Sequence, residues 1–281
     1  MFDPENLTLF FGLAAAMTWG TGDFCGGMAT KKGSVYTVVL ISHLIGGCCV
    51  ALIAVLVREP FPPLPIMIWG ALSGFAGMLG VLGLYSGLAK SQMGVIAPLT
   101  AVLTAIIPIT FSFFTEGLPA TIQIVGFGVA LVAVWLLSGA NGQIRLAPVE
   151  LGYALLAGTG FAFFFIFIDQ ASETAVYWPL TAARTTSIIC IALFVTIRGL
   201  WIRPSREQMP MIVGAGIADV LGNAFFTLAT KYGRLDLAAV LSSLYPASTV
   251  LLAQLVLHER LHRPQWIGAG LALLAVILIT L

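Results

Sequence analysis

Residues 116–134 read EGLPATIQIVGFGVALVAV, and residues 259–276 read ERLHRPQWIGAGLALLAV. Both stretches contain a glutamate, then Gln-x-x-Gly-x-Gly, then a run of small and branched apolar residues. The spacing from the glutamate to the glutamine differs between them by one residue. Because the Glu, Gln and Gly positions recur in order and are not generic for apolar sequence, we interpret the stretches as two copies of one motif.

A second set of similarities sets the length of the repeat. Gly12 and Gly20 in the first half match Gly152 and Gly160 in the second half at one common offset. The repeat unit is therefore about half of the chain, ~140 residues. The sequence predicts that each half folds as one unit.

The composition indicates a bilayer as the solvent of this chain. Hydrophobic residues make up 59% and charged residues only 9%, whereas a soluble domain carries about 25% charged residues. Runs of about 20 apolar residues predict about ten transmembrane helices. These runs are residues 7–28, 35–57, 66–88, 94–114, 121–139, 151–170, 178–197, 209–230, 236–257 and 264–281. Because the runs are apolar throughout and do not alternate, helices are expected and strands are not.

The predicted fold class is an all-α membrane protein with ten transmembrane helices in two inverted five-helix repeats. The repeats are residues 1–145 and 146–281. An odd number of spans forces the second repeat to insert upside down relative to the first. Many transporters use such an inverted repeat to build two conformations around a site at the bilayer midplane.

Basic residues in the loops predict the orientation. The odd-numbered loops hold nine of them, Lys31, Lys32, Lys90, Arg145, Arg198, Arg203, Arg206, Arg260 and Arg263. The even-numbered loops hold three, Arg58, Lys231 and Arg234. The positive-inside rule then places both termini in the periplasm, with Lys231 and Arg234 arguing against it. The net charge of +1 gives no reason to expect a nucleic-acid partner.

Polar residues inside the spans are the candidate functional residues, because they are costly in lipid. Asp23 follows Trp19 by one helical turn, so both lie on one face. Asp23 is either a cavity residue that binds a proton or a cationic substrate, or an acid near the cytoplasmic end that reaches water. Asp219 and Asn223 lie one turn apart near the middle of helix 8, where neither can reach water. They line a cavity and handle protons, or they form an interhelical hydrogen bond.

Other residues complete the set of candidates. Arg184 is expected to pair with Asp169 or to snorkel outward, and His43 is expected to be a packed, hydrogen-bonded residue. Four hydroxyl-bearing residues on predicted helices 3, 4 and 9 are candidates for a cavity lining: Tyr85, Thr100, Ser242 and Tyr245.

One motif points to a different class of protein. Residues 258–262 read HERLH, which matches the zinc-protease pattern H-E-x-x-H. His258 and His262 would bind zinc, and Glu259 would activate water. Pro264 follows at once and disfavours a helix through the motif, and Glu116 in the other copy has no histidine beside it. We therefore expect no metal, no cofactor and no catalytic residues, with an intramembrane metalloprotease as the alternative.

The repeated motif, the two five-helix halves, the Trp19-Gly20 pair and Pro246 thirteen residues before Glu259 together resemble the drug/metabolite transporter superfamily, in its EamA type. The resemblance implies a central cavity lined mainly by helices 1, 3, 4, 6, 8 and 9. It also implies a secondary exporter of small amphipathic metabolites, similar to the YddG branch that exports aromatic amino acids. An aromatic cavity suits such substrates through stacking and cation–π contacts.

The expected partners are a small-molecule substrate and the lipid bilayer, with protons as a candidate coupling ion. The expected location is a bacterial inner membrane, and the expected state is a monomer or a weak homo-oligomer. A membrane receptor or scaffold is the third class to consider. It predicts ligand binding without net translocation.

Overall fold

The structure is a computed structural model that describes residues 4–31, 33–90, 93–137, 148–257 and 263–279. This part of the chain forms eleven α-helices and no strand, so the all-α prediction is confirmed. The helices of the first half are α1 (Pro4–Thr30), α2 (Val35–Leu56), α3 (Leu64–Lys90), α4 (Met93–Thr115) and α5 (Thr121–Leu137). Those of the second half are α6 (Pro148–Ser172), α7 (Tyr177–Arg198), α8 (Met209–Tyr232), α9 (Leu235–Ser242), α10 (Tyr245–Leu257) and α11 (Arg263–Ile279).

Several helices have the length and composition of membrane spans. Within the described ranges, five helices are long and apolar enough to cross a bilayer, namely α2, α3, α6, α7 and α8. Shorter apolar stretches lie at 100–115, 121–136 and 263–279. Large apolar side chains cover the outer surface, for example Leu56, Leu193 and Ile197 at 59–72% exposure, as expected where lipid and not water is the neighbour.

The predicted ninth helix, residues 236–257, is broken into α9 and α10, which corrects the expectation of a continuous span. The break falls at Ser243 and Leu244. Pro246 explains it, because proline has no N–H to donate and its ring clashes with the carbonyl of residue 242, four positions earlier. The Ala247 N–H donates to the Leu244 carbonyl at 2.9 Å and starts the second helix. By contrast, α4 continues from Met93 to Thr115 without a break.

The helix contacts exchange between the two halves. Helix α1 of the first half packs on α8 of the second, and their counterparts α6 and α3 pack on each other in the same way. Helix α3 packs on α7, and their counterparts α8 and α2 likewise pack on each other. Helix α4 packs on α6, and its counterparts α9 and α10 pack on α1. Two further contacts join a helix to its own counterpart, namely α2 to α7 and α5 to α11. This exchange is the pattern of a pseudo-two-fold axis between the halves. It corresponds to the two-repeat arrangement read from the sequence.

Glycine contacts set the register between the halves. A β-carbon on Gly22 would lie 3.4 Å from the Asp219 nitrogen, and one on Gly160 would lie 2.5 Å from the Gly80 nitrogen. Gly22 of α1 is therefore the counterpart of Gly160 of α6. The sequence match that pairs Gly20 with Gly160 is wrong by two positions.

A second glycine pair has the same register. Gly20 faces the Tyr245 carbonyl of α10, and Gly158 faces the Thr100 carbonyl of α4. Gly20 lies two positions before Gly22, and Gly158 lies two positions before Gly160. Glycine is frequent in this chain, with 30 copies, so matches by sequence alone can slip in register.

Loops of each half also bind the other half. The Glu59 carboxylate, between α2 and α3, accepts hydrogen bonds from the backbone N–H groups of Val176, Tyr177 and Trp178 at 2.8–3.2 Å. It therefore satisfies free donors at the N-terminus of α7 and complements the helix dipole. In the counterpart loop between α7 and α8, the Gln208 amide donates to the Ala29 carbonyl at 3.0 Å.

Candidate functional site

A cavity lies between the two halves, and its volume is about 750 Å³ when the part open to the outside is included. Its wall is built by residues of α1, α2, α3, α4, α6, α7, α8 and α10. The aromatic lining residues are Trp19, Tyr85, Phe161, Phe164, Phe165 and Tyr245. The polar lining residues are Asp23, Ser42, His43, Thr104, Arg184, Ser187, Asp219 and Asn223. The cavity is thus mainly apolar with a few convergent polar groups, which is the usual make-up of a small-molecule site.

Trp19 joins α1 to α8 and to α6. Its indole Nε1–H donates to the Asn223 Oδ1 at 3.0 Å, and its ring stacks on Phe165 with centroids 5.4 Å apart and 14° between the planes. The indole lies over Gly222, where a β-carbon would meet it at 2.5 Å. Gly222 therefore leaves the space that the ring occupies. The hydrogen bond and the stack together hold one face of the indole against the cavity.

Asp219, whose side chain is 22% exposed, forms an ion pair with the buried Arg184. The Arg184 Nη2 lies 2.5 Å from the Asp219 Oδ2, and the His43 Nε2 lies 3.9 Å from the same oxygen. His43 Nδ1 is 2.9 Å from the Ser187 Oγ. This cluster joins α2, α7 and α8. The predicted alternatives for Arg184, pairing with Asp169 or snorkelling, are wrong, because the guanidinium points inward to Asp219 and is only 7% exposed.

Asp23 has no cationic partner in the described part of the chain. The ion pairs found there are His43–Asp219, Arg184–Asp219 and Arg234–Asp236. Asp23 lines the cavity together with Asp219, Tyr85 and Tyr245. The Asp23 carboxyl group therefore lines the cavity without a cation beside it, whereas the Asp219 carboxylate is paired with Arg184.

The two tyrosines differ in their hydrogen bonds. The Tyr85 hydroxyl donates to the Gly22 carbonyl at 3.4 Å, and its ring packs against Gly26. The Tyr245 hydroxyl is buried and has no hydrogen-bond partner among the residues the structure describes, and neither has the His43 Nε2. A buried polar atom without a partner is costly. Both atoms belong to residues of the cavity wall.

Of the eight predicted cavity residues, the structure brings six together on the wall: Trp19, Asp23, Tyr85, Asp219, Asn223 and Tyr245. The other two are buried elsewhere. Ser242 packs on α1, where its hydroxyl donates to the Gly12 carbonyl at 3.4 Å. Thr100 packs beneath Gly158 of α6. Both are fully buried at 0% exposure, so helix packing removes them from the cavity surface.

Sequence reasoning gave structural roles to two residues of the wall, Arg184 and His43. On α6, Phe163 is 46% exposed on the outer surface. The wall carries Phe161, Phe164 and Phe165 instead. Their spacing of three and four residues marks one helix face, and this signal was available in the sequence.

The structure gives no support for a metal site in the residues that it describes, since they contain no group of three or more His, Cys, Asp or Glu side chains that could hold an ion. The HERLH segment, residues 258–262, lies outside the described ranges.

Helical spans in two pseudo-symmetric halves, with an amphipathic cavity between them, define a membrane transporter of small molecules. The EamA-like transporter family model matches residues 6–139 and again 149–281, and the chain belongs to that family. Its members are transporters, so the protein is not an enzyme and is embedded in a membrane as a multi-pass protein.

Two further comparisons found similar proteins. An uncharacterized protein of Methanocaldococcus jannaschii, MJ1333.1, is 30% identical over 94 residues, which cover 34% of this chain and 68% of that protein. A solved crystal structure is similar to this fold with a TM-score of 0.79 at 20% sequence identity, covering 96% of this chain and 95% of the other. At this identity the structure supports the fold alone.

Proposed function

We propose that the protein is a secondary transporter that exports small amphipathic metabolites by alternating access. The observation that carries the proposal is the cavity at the interface of two pseudo-symmetric halves. Its aromatic wall suits flat or amphipathic substrates, such as aromatic amino acids or drugs.

Alternating access requires the two halves to rock about the cavity as largely rigid bodies, so that the packing inside each half is kept. The break between α9 and α10 supports this idea, because helices bend most readily at proline. Asp219 and Arg184 line the cavity, and both belong to helices of the second half, which would move together. In this proposal their ion pair keeps the charge of α8 neutral inside the bilayer, and Asp219 is the candidate for handling a proton.

The remaining parts of the proposal concern the membrane, the orientation of the chain, its oligomeric state and its repeats. The protein lies in a bacterial inner membrane with both termini in the periplasm, following the basic residues of the loops. It works as a monomer or a weak homo-oligomer, because one chain already supplies both halves. Each half is expected to correspond to one repeat, residues 1–145 and 146–281.

Filling the cavity tests whether substrate passes through it. Val81 of α3 lines the cavity and is half-buried, so Val81→Trp places an indole where substrate would lie. Leu72 of the same helix is 42% exposed on the outer surface, and Leu72→Trp is the matched control. Efflux of labelled amino acids and amphipathic drugs is measured from proteoliposomes that contain equal amounts of folded protein.

We expect Val81→Trp to abolish efflux and Leu72→Trp to retain it. Efflux by Val81→Trp at the wild-type rate would contradict a path through the cavity. Binding of substrate by the wild type without any net flux would contradict transport itself and favour a receptor or scaffold.

A further inference from the structure

One carboxyl group on the cavity wall has no cationic partner. Asp219 is paired with Arg184, and the nearby His43 approaches the same carboxylate oxygen. Asp23 has no cation of the described residues within ion-pair distance. An acid in the membrane interior is ionised only when a cation balances its charge, and otherwise it holds a proton.

We propose, resting on the proposed transport function, that Asp23 is the binding subsite for a protonated amine and that, among amphipathic substrates, organic cations are preferred to amino acids. A bound amine would balance the charge of an ionised Asp23, which lowers the cost of that charge in the membrane interior. The Trp19, Tyr85 and Tyr245 rings belong to the same wall. Aromatic faces add a cation–π contribution for such a ligand.

A second observation points independently to a ligand at this place. The Tyr245 side chain is almost fully buried, at 6% exposure, yet its hydroxyl has no hydrogen-bond partner among the described residues. Tyr245 and Asp23 line the same cavity. The Tyr245 oxygen can accept a hydrogen bond from an ammonium group bound in that cavity. A substrate would therefore satisfy an atom that the protein leaves without a partner.

Other ligands fit the same wall less well. A calcium ion takes six to eight oxygen ligands, whereas Asp23 offers one carboxylate and Asp219 is occupied by Arg184. A zwitterionic amino acid would bring a carboxylate that needs its own cation. Arg184 is the only guanidinium on the described wall, and it is already paired. An anion would find no free guanidinium on the described wall.

Three ligands that share an indole but differ in charge test the proposal: tryptamine, tryptophan and indole-3-propionate. Equilibrium binding of each to the purified full chain is measured for the wild type and Asp23→Asn. Hydrogen bonds to charged groups correspond to a change in affinity of about tenfold or more. We expect the wild type to prefer tryptamine to the other two by at least this factor, and Asp23→Asn to lose that preference.

Three further variants control the experiment. Glu173→Gln removes a carboxylate from an exposed position and is expected to bind tryptamine as the wild type does. Tyr245→Phe is expected to weaken tryptamine binding by a smaller factor than Asp23→Asn. Asp23→Glu keeps the charge and is expected to retain the preference for tryptamine, which covers the case in which Asp23→Asn fails to fold.

The outcomes separate this proposal from the transport function. No tryptamine binding at millimolar concentration, equal binding of tryptophan, or unchanged binding by Asp23→Asn would overturn the amine subsite. If proteoliposomes then still transport tryptophan, transport stands and the amine subsite fails. If tryptamine binds in an Asp23-dependent manner without flux, the subsite stands and the transport function fails.

Discussion

Two helix pairs that the pseudo-two-fold axis relates differ sharply in polarity. The pair α1–α8 carries Trp19, Asp23, Asp219 and Asn223 on the cavity wall. The pair α3–α6 has an apolar or small residue at each corresponding position.

The register of the glycine contacts identifies these positions. When Gly22 of α1 is aligned with Gly160 of α6, Trp19 and Asp23 correspond to Ala157 and Phe161. When Gly222 of α8 is aligned with Gly83 of α3, Asp219 and Asn223 correspond to Gly80 and Leu84. Each polar group of one pair is therefore absent from the other.

The two pairs also differ in what meets the glycine at the crossing. In α3–α6, a β-carbon on Gly83 would lie 2.8 Å from the Ala157 nitrogen, so backbone meets backbone. At the counterpart crossing in α1–α8, the Trp19 indole lies on Gly222. One pair is a close glycine contact of the kind that holds membrane helices together. In the other pair, an indole covers the glycine and polar groups lie beside it.

This difference indicates that the repeat supplies the frame and that a single copy supplies the chemistry. Polar groups at membrane depth are costly, so placing them in one helix pair limits that cost. The opposite pair keeps the small residues that bring helices together. The following predictions test this division, beginning with the largest expected effect.

Removing Asp219 is expected to have the largest effect on stability. Asp219→Ala leaves the Arg184 guanidinium buried without its counter-ion, which costs about 3–5 kcal/mol of unfolding free energy. The double variant Asp219→Ala/Arg184→Leu removes both charges and should recover most of that loss. Denaturant unfolding of the purified protein in detergent measures both. A single variant as stable as the wild type would show that the ion pair does not hold these helices.

Glycine-to-alanine substitutions should affect the α3–α6 crossing and the α1–α8 crossing differently. Gly160→Ala pushes a methyl group against the Gly80 backbone, and we expect a loss of about 1–3 kcal/mol from overpacking. Gly22→Ala meets only ordinary contacts, starting at 3.4 Å, and should lose much less.

Gly152 of α6 has nothing within 4 Å of its β-carbon position, so Gly152→Ala serves as the control for the glycine substitution itself. Thermal unfolding of the three proteins gives the comparison. Equal losses for Gly160→Ala and Gly22→Ala would contradict the proposed difference in packing.

The smallest effect is expected for Asn223→Leu, which gives α8 the residue that α3 has at Leu84. The substitution removes the acceptor of the Trp19 indole N–H, and we expect a loss of about 1 kcal/mol. Adding Trp19→Phe removes the unpaired donor and should restore part of it. The free energies of unfolding of the two single variants and the double variant measure the coupling. Additive effects would indicate that the hydrogen bond contributes nothing.

Much of the fold could be predicted because local composition determines it. Long apolar runs define the spans, and the repeated Glu and Gln-x-x-Gly-x-Gly motif marks the two halves. The break at Ser243 could have been placed from Pro246, since the effect of proline on its own helix is local. The register between the halves could not, because Gly20, Gly22, Gly158 and Gly160 are alternatives that only contacts distinguish.

The site was predictable only in part for a related reason. Helix spacing correctly put Trp19 beside Asp23 and Asp219 beside Asn223 on the same faces. The Trp19–Asn223 bond joins residues 204 positions apart, and the Arg184–Asp219 pair joins two different helices. Such pairings depend on how helices rotate against each other, which side-chain packing decides.

The central claim is that the cavity opens alternately to the two sides of the membrane. Val81→Cys in a protein whose native cysteines (Cys25, Cys48, Cys49 and Cys190) are replaced places one thiol on the wall. A membrane-impermeant thiol reagent is then added from one side or the other of oriented proteoliposomes. We predict labelling from both sides and protection by bound substrate. Labelling from one side alone, whatever the substrate concentration, would contradict alternating access.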